Sequence, residues 1–519
     1  MSDRKAGSGT SGYPADALPS RTSAVASALR RLGESRRAMV SGAILLVVVP
    51  WTFDAWTVLR QGFRALRHPF PTCLTELSIL DGARAFAQGA PLFPPVGDLP
   101  FSLHVYNVLN YLPAGLAGRM AGLSIDELMV ASRVLPYLSA LGLLVLVVWY
   151  VRLMGGDAWT AVLGVTMVLF FHTSTLPDFF RNRPETPGLF FTTLGFLLCL
   201  AHPRGWTVLA ALAFTAAFGF KQTFLAAPAA AVVYLLVQRR NPTRLIVTSL
   251  ATVALFTAAC RLAFGPGYFQ HTYLAMADNP YDFVRGLGFL PILLRDHWGL
   301  LVVSVAAAAV VVRRNAVFAW LVLCLAWTIA IEGKFGADVN YHAELSFVMV
   351  LAVVTAVVQL RERTWAVAVL APVVLGTWIG IARGGLGWNE VCFNRIAPTP
   401  RCYVETPPFA TRTDYVERYR GRTDALILDP EIGVRAGVPA VNDVILVDLL
   451  FRSGFLRFER LEEEIRSRRP EIVVFHRESF AYADWLGTLF NEALGAGYLL
   501  AFSDGNLVEL HRGAAGRNR

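Results

Sequence analysis

The stretch LIVTSLATVALFTAACRLAF, residues 245–264, carries a single charge, Arg261, and lacks the polar stripe that a solvated helix face needs. A run of about 20 apolar residues is the length at which a helix crosses the hydrocarbon layer of a bilayer. AMVSGAILLVVVPWTFDAWTVL, residues 38–59, repeats the pattern near the start of the chain. The composition agrees: of 519 residues 55% are hydrophobic and 16% charged, and the mean hydropathy is +0.48. These values exclude an ordinary soluble domain and indicate a polytopic α-helical membrane protein.

About eleven transmembrane helices are expected, at 39–59, 134–151, 159–176, 188–201, 206–220, 224–237, 245–263, 298–312, 317–331, 345–360 and 365–381. Several are shorter than a full span and must borrow polar ends or lean on neighbours. Loop charges orient them. The tail, residues 1–38, is rich in Ser, Gly, Ala and Arg and is expected to be a disordered cytoplasmic segment. The apolar run after it is too long for a signal peptide core and is read as a retained helix. Loops after even-numbered helices are short and basic, with Arg152, Arg204, Arg239, Arg240, Arg244, Arg313, Arg314, Arg361 and Arg363. By the positive-inside rule these face the cytoplasm. Loops after odd-numbered helices hold the acids, among them Glu76, Asp81, Asp98, Asp178, Glu185, Asp278, Glu332 and Glu344. The chemistry is therefore expected on the outer face of the inner (plasma) membrane. The net charge of +9 reflects flanking arginines and implies no nucleic-acid partner.

Three regions follow from this layout: the tail, a transmembrane domain at 39–383 with chemically equipped outer loops at 60–133 and 177–187, and an outer domain at 384–519. The last region is ordinary globular sequence. DALILD (424–429) and EIVVFH (471–476) read as buried strands, RFERLEEEIRSRR (457–469) as a charged helix, and YLLAFSDGNLVELHR (498–512) as a hairpin. A small periplasmic α/β domain is expected. Cys199, Cys260 and Cys324 lie in apolar runs as small hydrophobes, whereas Cys392 and Cys402 follow the last helix on the outer side and are expected to pair.

The segment 60–133 is too long for a plain connector. Within it, YNVLNYLPAGLAGRMAGL (106–123) has helical spacing broken by Asn107, Asn110 and Arg119, which suits a helix lying in the membrane interface. TELSILDGARAFAQGAPLFPP (75–95) places an acid, Glu76, before an Ala-rich helix at 83–87, then Gly89 and a turn from Pro91 to Pro95. This resembles the first outer loop of the GT-C glycosyltransferases, the superfamily that includes protein O-mannosyltransferases and the lipid A aminoarabinose transferase. RNRPETPG (181–188) is similar to the second outer loop of that superfamily, with Glu185 in the acidic position, and FKQT (220–223) also fits. The resemblance implies a GT-C-like fold and an inverting transfer of a sugar from a polyprenyl-phosphate-linked donor to a lipid, glycan or protein hydroxyl. A transporter or flippase of a lipid-linked intermediate is the alternative, although no internal repeat is present.

Such a transfer needs a base at the acceptor and cations at the leaving phosphate. Glu76, Glu185 and Asp81 are the catalytic candidates. For Glu76 the competing reading is a helix N-terminal charge, for Asp81 a helix-surface acid about 500° round from Glu76, and for Glu185 a local ion pair with Arg181 or Arg183. Among 47 basic residues only Lys5, Lys221 and Lys334 are lysine. Lys221, Lys334, Arg181 and Arg183 are the candidates for the donor phosphate, with snorkelling the alternative for the lysines. NYHAE (340–344) opens the tenth helix, and Asn340, Tyr341 and Glu344 are candidates for acceptor or substrate binding, with helix capping by Asn340 the competing reading. No HExxH or paired CxxC occurs, no structural zinc site is expected, and a divalent ion between Glu76 and Glu185 is left open. Asp54, within the first helix, is expected to face protein.

Overall fold

The computed structural model describes residues 21–67, 74–96, 101–169, 182–202, 205–277, 280–288, 290–291, 300–305, 316–334, 341–360, 367, 369–375 and 408–422. Beyond these it describes residues 424–438, 441, 447–448, 450–451, 454–467, 470–476, 484–503 and 507–513. The Cys392–Cys402 expectation lies outside them, as do the side chain of Asp54 and the whole of Asn340 and Arg181.

The membrane part is built from α1 (Arg21–Leu66), α2 (Leu74–Ala87), α3 (Leu112–Ala121), α4 (Ile125–Leu153), α5 (Ala158–Met167), α6 (Glu185–Ala201) and α7 (Thr207–Phe220). It continues with α8 (Ala226–Val237), α9 (Thr243–Phe264), α10 (Ala316–Glu332) and α11 (His342–Leu360). Among the described residues α4, α9 and α11 are long and apolar enough to cross a bilayer by themselves, and α5, α6, α7, α8 and α10 are shorter apolar helices. The chain is a membrane protein. α11 is mostly apolar and, except at Gln359, buried along its length, which puts it inside the bundle. Tyr150 of α4 hydrogen-bonds Thr355 of α11, so even this polar pair is satisfied inside the bundle.

Close helix approach depends on missing side chains. A Cβ on Gly188 would lie 2.1 Å from the Phe224 ring, so only glycine lets the start of α6 settle on the turn after α7. α4 begins with a full capping box, Ser124 accepting from the Glu127 amide and Glu127 taking the Ser124 amide.

The stretch 106–123, expected as one interfacial helix, is helical in two parts. It forms a 3₁₀ turn at Val108–Asn110 and then α3. The reason lies in the two asparagines. Asn107 Nδ2 donates to the Phe218 carbonyl at 3.1 Å, and Asn110 Nδ2 donates to that of Phe220. They satisfy the last carbonyls of α7 and stitch the outer segment to it.

The C-terminal part comprises α12 (Pro408–Tyr419), β1 (Ala425–Leu428), α13 (Pro430–Ala436), α14 (Glu459–Arg466), β2 (Ile472–His476), α15 (Asp484–Gly495), β3 (Tyr498–Ser503) and β4 (Leu507–Arg512). The sheet order is β1-β2-β4-β3; β1 is parallel to β2 with Leu426 opposite Val473, and the remaining pairs are antiparallel. The outer segment runs into this domain. Phe101 sits with its ring centroid 5.5 Å from that of Phe451, in one apolar cluster with Leu428 and Val473. Its backbone holds φ at 65°, a conformation that costs a non-glycine residue about 1–3 kcal/mol, and burial of the ring offsets it. On the other side Val434 of α13 packs on Leu77, Leu80 and Ala83 of α2. The domain thus clamps the outer helix that carries Glu76 and Asp81.

Candidate active site

The start of α6 and the end of α7 bring opposite charges together. Pro184 precedes Glu185, the first residue of α6, and Lys221 leaves α7 in extended conformation as its C-cap. Lys221 Nζ donates to Glu185 Oε1 at 2.7 Å, and Arg183 Nε lies 3.6 Å from Glu185 Oε2. Both Glu185 and Lys221 are more than nine-tenths buried. The ammonium also stands 4.0 Å from the centroid of the Tyr341 ring, over its π face. The structure therefore joins four of the expected residues: Glu185, Arg183, Lys221 and Tyr341. Burying such a pair costs several kcal/mol of desolvation per ion. Concentrated buried charge makes the group a candidate site.

Tyr106 completes the group and was not foreseen. Its hydroxyl lies 3.3 Å from Thr75 Oγ1. Burial and the negative charge of Glu185 hold the phenol above its ordinary range, so it stays an O–H donor. The only sequence signal was a tyrosine in the outer segment, and nothing local distinguished it from Tyr111.

Glu76 and Asp81 have other partners. Glu76 is wholly buried and is held in a two-pronged grip by Arg133 of α4, Nε to Oε1 at 2.6 Å and Nη2 to Oε2 at 3.0 Å. Arg133 also escaped the sequence reading. Its signal was present: an arginine inside the apolar run MVASRVLPYL (129–138) needs a buried partner. Asp81 accepts from Arg84 Nη2 at 2.8 Å and Ser102 Oγ at 2.8 Å, with His104 Nε2 at 3.3 Å. Burial alone would raise this carboxyl, but the hydrogen bond from His104 and the Arg84 charge hold it far below the usual range.

Lys334, just past α10, pairs through its backbone with Tyr281 and points its Nζ at the Met276 carbonyl, 3.5 Å away. Partial burial lowers its pKa. Glu344 accepts from Trp320 Nε1 at 2.7 Å within the bundle. The described contacts tie neither to Lys221. Among the described residues no three His, Cys, Asp or Glu side chains gather as metal ligands. Glu76 and Glu185 each already face an organic cation, the charge that a divalent ion would otherwise provide.

A second polar cluster secures the outer segment. His271 Nδ1 accepts from the His104 amide at 3.1 Å, while its Nε2 bonds to the Pro94 carbonyl, which defines a neutral ring with Nε2 as the donor. Burial, then the neighbouring His104, lower its pKa to about 4. Unfolded, this histidine titrates near 6.5. The unfolded chain therefore binds the extra proton first, and stability falls as pH drops from about 6.5 to about 4, by on the order of 3 kcal/mol from this group. His271→Gln keeps one donor and one acceptor without a titrating ring. Its apparent melting temperature is expected to fall less steeply than that of the parent over that window. Equal slopes would remove His271 as the cause.

No protein-family model and no curated protein matches the chain. Solved structures do. ArnT from Cupriavidus metallidurans bound to undecaprenyl phosphate superposes with a TM-score of 0.56 at 14% identity, over 90% of this chain and 98% of that one. Its apo state gives 0.57 at 12% identity over the same shares. The chain has the fold of ArnT, a GT-C glycosyltransferase.

Proposed function

We propose that this protein transfers a sugar from a polyprenyl-phosphate-linked donor to a hydroxyl on an acceptor at the outer face of the inner membrane, with the N-terminus cytoplasmic and the C-terminal domain periplasmic. The observation that carries the reading is the buried Glu185, Lys221 and Arg183 group at the outer helix ends of an ArnT-like fold. The undecaprenyl phosphate held by the similar ArnT structure supports a polyprenyl carrier.

The chemistry is an inverting displacement. The acceptor oxygen bonds to the anomeric carbon as the bond from that carbon to the phosphate oxygen breaks, and the electron pair leaves with the polyprenyl phosphate. Lys221 and Arg183 stabilise the negative charge that grows on the phosphate. As they turn to it, Glu185 is released to take the acceptor proton. Tyr106 keeps a neutral hydroxyl beside them, in contact with Thr75. Glu76 acts through Arg133 and Asp81 through His104, each holding the outer helix α2 in register as a positioning residue.

The test is transfer itself. The purified protein is reconstituted in liposomes with a panel of radiolabelled polyprenyl-phosphate sugars and hydroxyl acceptors. Label is expected to move to an acceptor with release of one polyprenyl phosphate per sugar. Movement of intact lipid-linked sugar across the bilayer without cleavage would overturn the reading.

A further inference from the structure

Beside the candidate site lies a second buried pair. Glu332 ends α10 and His342 opens α11, and Oε1 of the first lies 2.6 Å from Nε2 of the second, with both side chains at 2% exposure. The residue before His342 is Tyr341, whose ring covers the Lys221 ammonium. The opposite end of the same arrangement is also fastened: Trp327, five residues before Glu332 on α10, donates from Nε1 to the Thr223 carbonyl at 2.6 Å, two residues after Lys221. α10 thus grips the lysine turn directly through Trp327, and it grips the ring above the lysine through Glu332 and His342. The end of α10 is itself held from outside, since the Asp282 amide donates to the Gly333 carbonyl at 2.8 Å.

A lysine ammonium has three N–H donors. At Lys221 one goes to Glu185 and the π face of Tyr341 occupies another direction. We infer that the Glu332–His342 pair is a latch that positions Tyr341 over Lys221, so that the ammonium offers one remaining N–H direction to an anionic oxygen of the donor. The inference rests on the proposed donor role of Lys221. Glu332 and His342 are positioning residues in it, because they act through Tyr341. A purely structural pair would tie α10 to α11 without changing the state of Lys221.

Lysine is so scarce in this chain that its state can be read directly. The full-length protein in detergent is treated with a small water-soluble acetylating ester, and modification of Lys5, Lys221 and Lys334 is followed by mass spectrometry. The readout is the rate at Lys221 relative to Lys334, which cancels any general loosening. Loss of a buried cation–π cap corresponds to about 3- to 30-fold. Tyr341→Leu and His342→Ala are each expected to raise the ratio by that amount, Tyr341→Phe to leave it unchanged, and the Tyr341→Leu/His342→Ala double variant to match Tyr341→Leu alone. Glu332→Gln, which keeps the size and a polar end of the side chain against the imidazole but not its charge, is expected to fall between the parent and Glu332→Ala. A parental ratio in His342→Ala, or a double variant showing the product of the two single effects, would overturn the latch. This measurement uses no donor, so its failure leaves the transferase reading standing, whereas failure of the transfer assay leaves the Tyr341 cap on Lys221 but removes the donor that the open N–H would serve. Where transfer is measured, His342→Ala is expected to raise the donor KM about 3- to 30-fold with kcat nearly unchanged.

Discussion

Arg133→Leu is expected to destabilise the protein by about 3–5 kcal/mol, among the largest single-residue effects in the chain. The variant removes the two-pronged partner of Glu76 and leaves a carboxylate at 0% exposure with its main counter-charge gone. Water cannot reach it to compensate. Glu76→Leu is expected to cost nearly as much for the reciprocal reason, since the guanidinium then loses the carboxylate it grips. The double variant Arg133→Leu/Glu76→Leu removes both charges and is expected to recover most of the loss, because an apolar pair avoids the desolvation penalty altogether. Arg133→Lys keeps charge but not the planar fork and is expected to fall between. The measurement is equilibrium unfolding in mixed micelles for the four variants. Additive losses in the double variant would show that the two residues do not act as a pair.

The effect reaches the site because α2 lies between two supports. Arg133 fixes its start to α4, and Val434 of the outer domain packs on its flank. Loosening the first support lets Thr75, next to Glu76, shift against Tyr106, its partner at 3.3 Å. Reduced transfer in Arg133→Leu is thus compatible with a positioning role for Glu76.

Much of this arrangement was legible in the sequence, for physical reasons. Long apolar runs admit only a membrane solution, and α4, α9 and α11 stand where three of them lie. The strand pair from DALILD and EIVVFH forms as β1 and β2, because short β-branched runs between turns have little alternative. Asp81 and Glu76 take different partners, as their separation round a helix required. What escaped were pairings between distant segments. Arg133 is separated from Glu76 by 57 positions and Lys221 from Glu185 by 36. Periodicity gives the face on which a side chain lies, not the residue it meets. The chain turns helical at Leu74, before the Ala-rich run at 83–87, so Glu76 occupies the first turn, which is the competing reading of that residue as a helix N-terminal charge. The helix expected at 106–123 forms over Leu112–Ala121 and starts late because Asn107 and Asn110 spend their amides on α7. No helical spacing rule reveals that.

Glu185→Gln is expected to lower kcat by about 10²–10⁴-fold, the usual contribution of a positioned general base, with the donor KM much less affected. The amide still occupies the α6 start and accepts from Lys221, so the fold is expected to persist. Lys221→Met removes the charge while keeping most of the stem packing. A charge-assisted hydrogen bond of about 1.5–3 kcal/mol corresponds to roughly 10- to 150-fold in donor KM. Lys221→Arg restores charge on a broader, planar group, so partial rescue would mean that charge dominates and no rescue that geometry does. The two residues touch at 2.7 Å, and their losses are therefore expected not to multiply. In Lys221→Met the carboxylate loses the partner it must leave during turnover, and adding Glu185→Gln is expected to cost less than it does in the parent. Full activity in both single variants would place the phosphate elsewhere and make Arg183 and Arg181 the next residues to replace. Multiplying losses would keep both residues in the reaction but separate their roles.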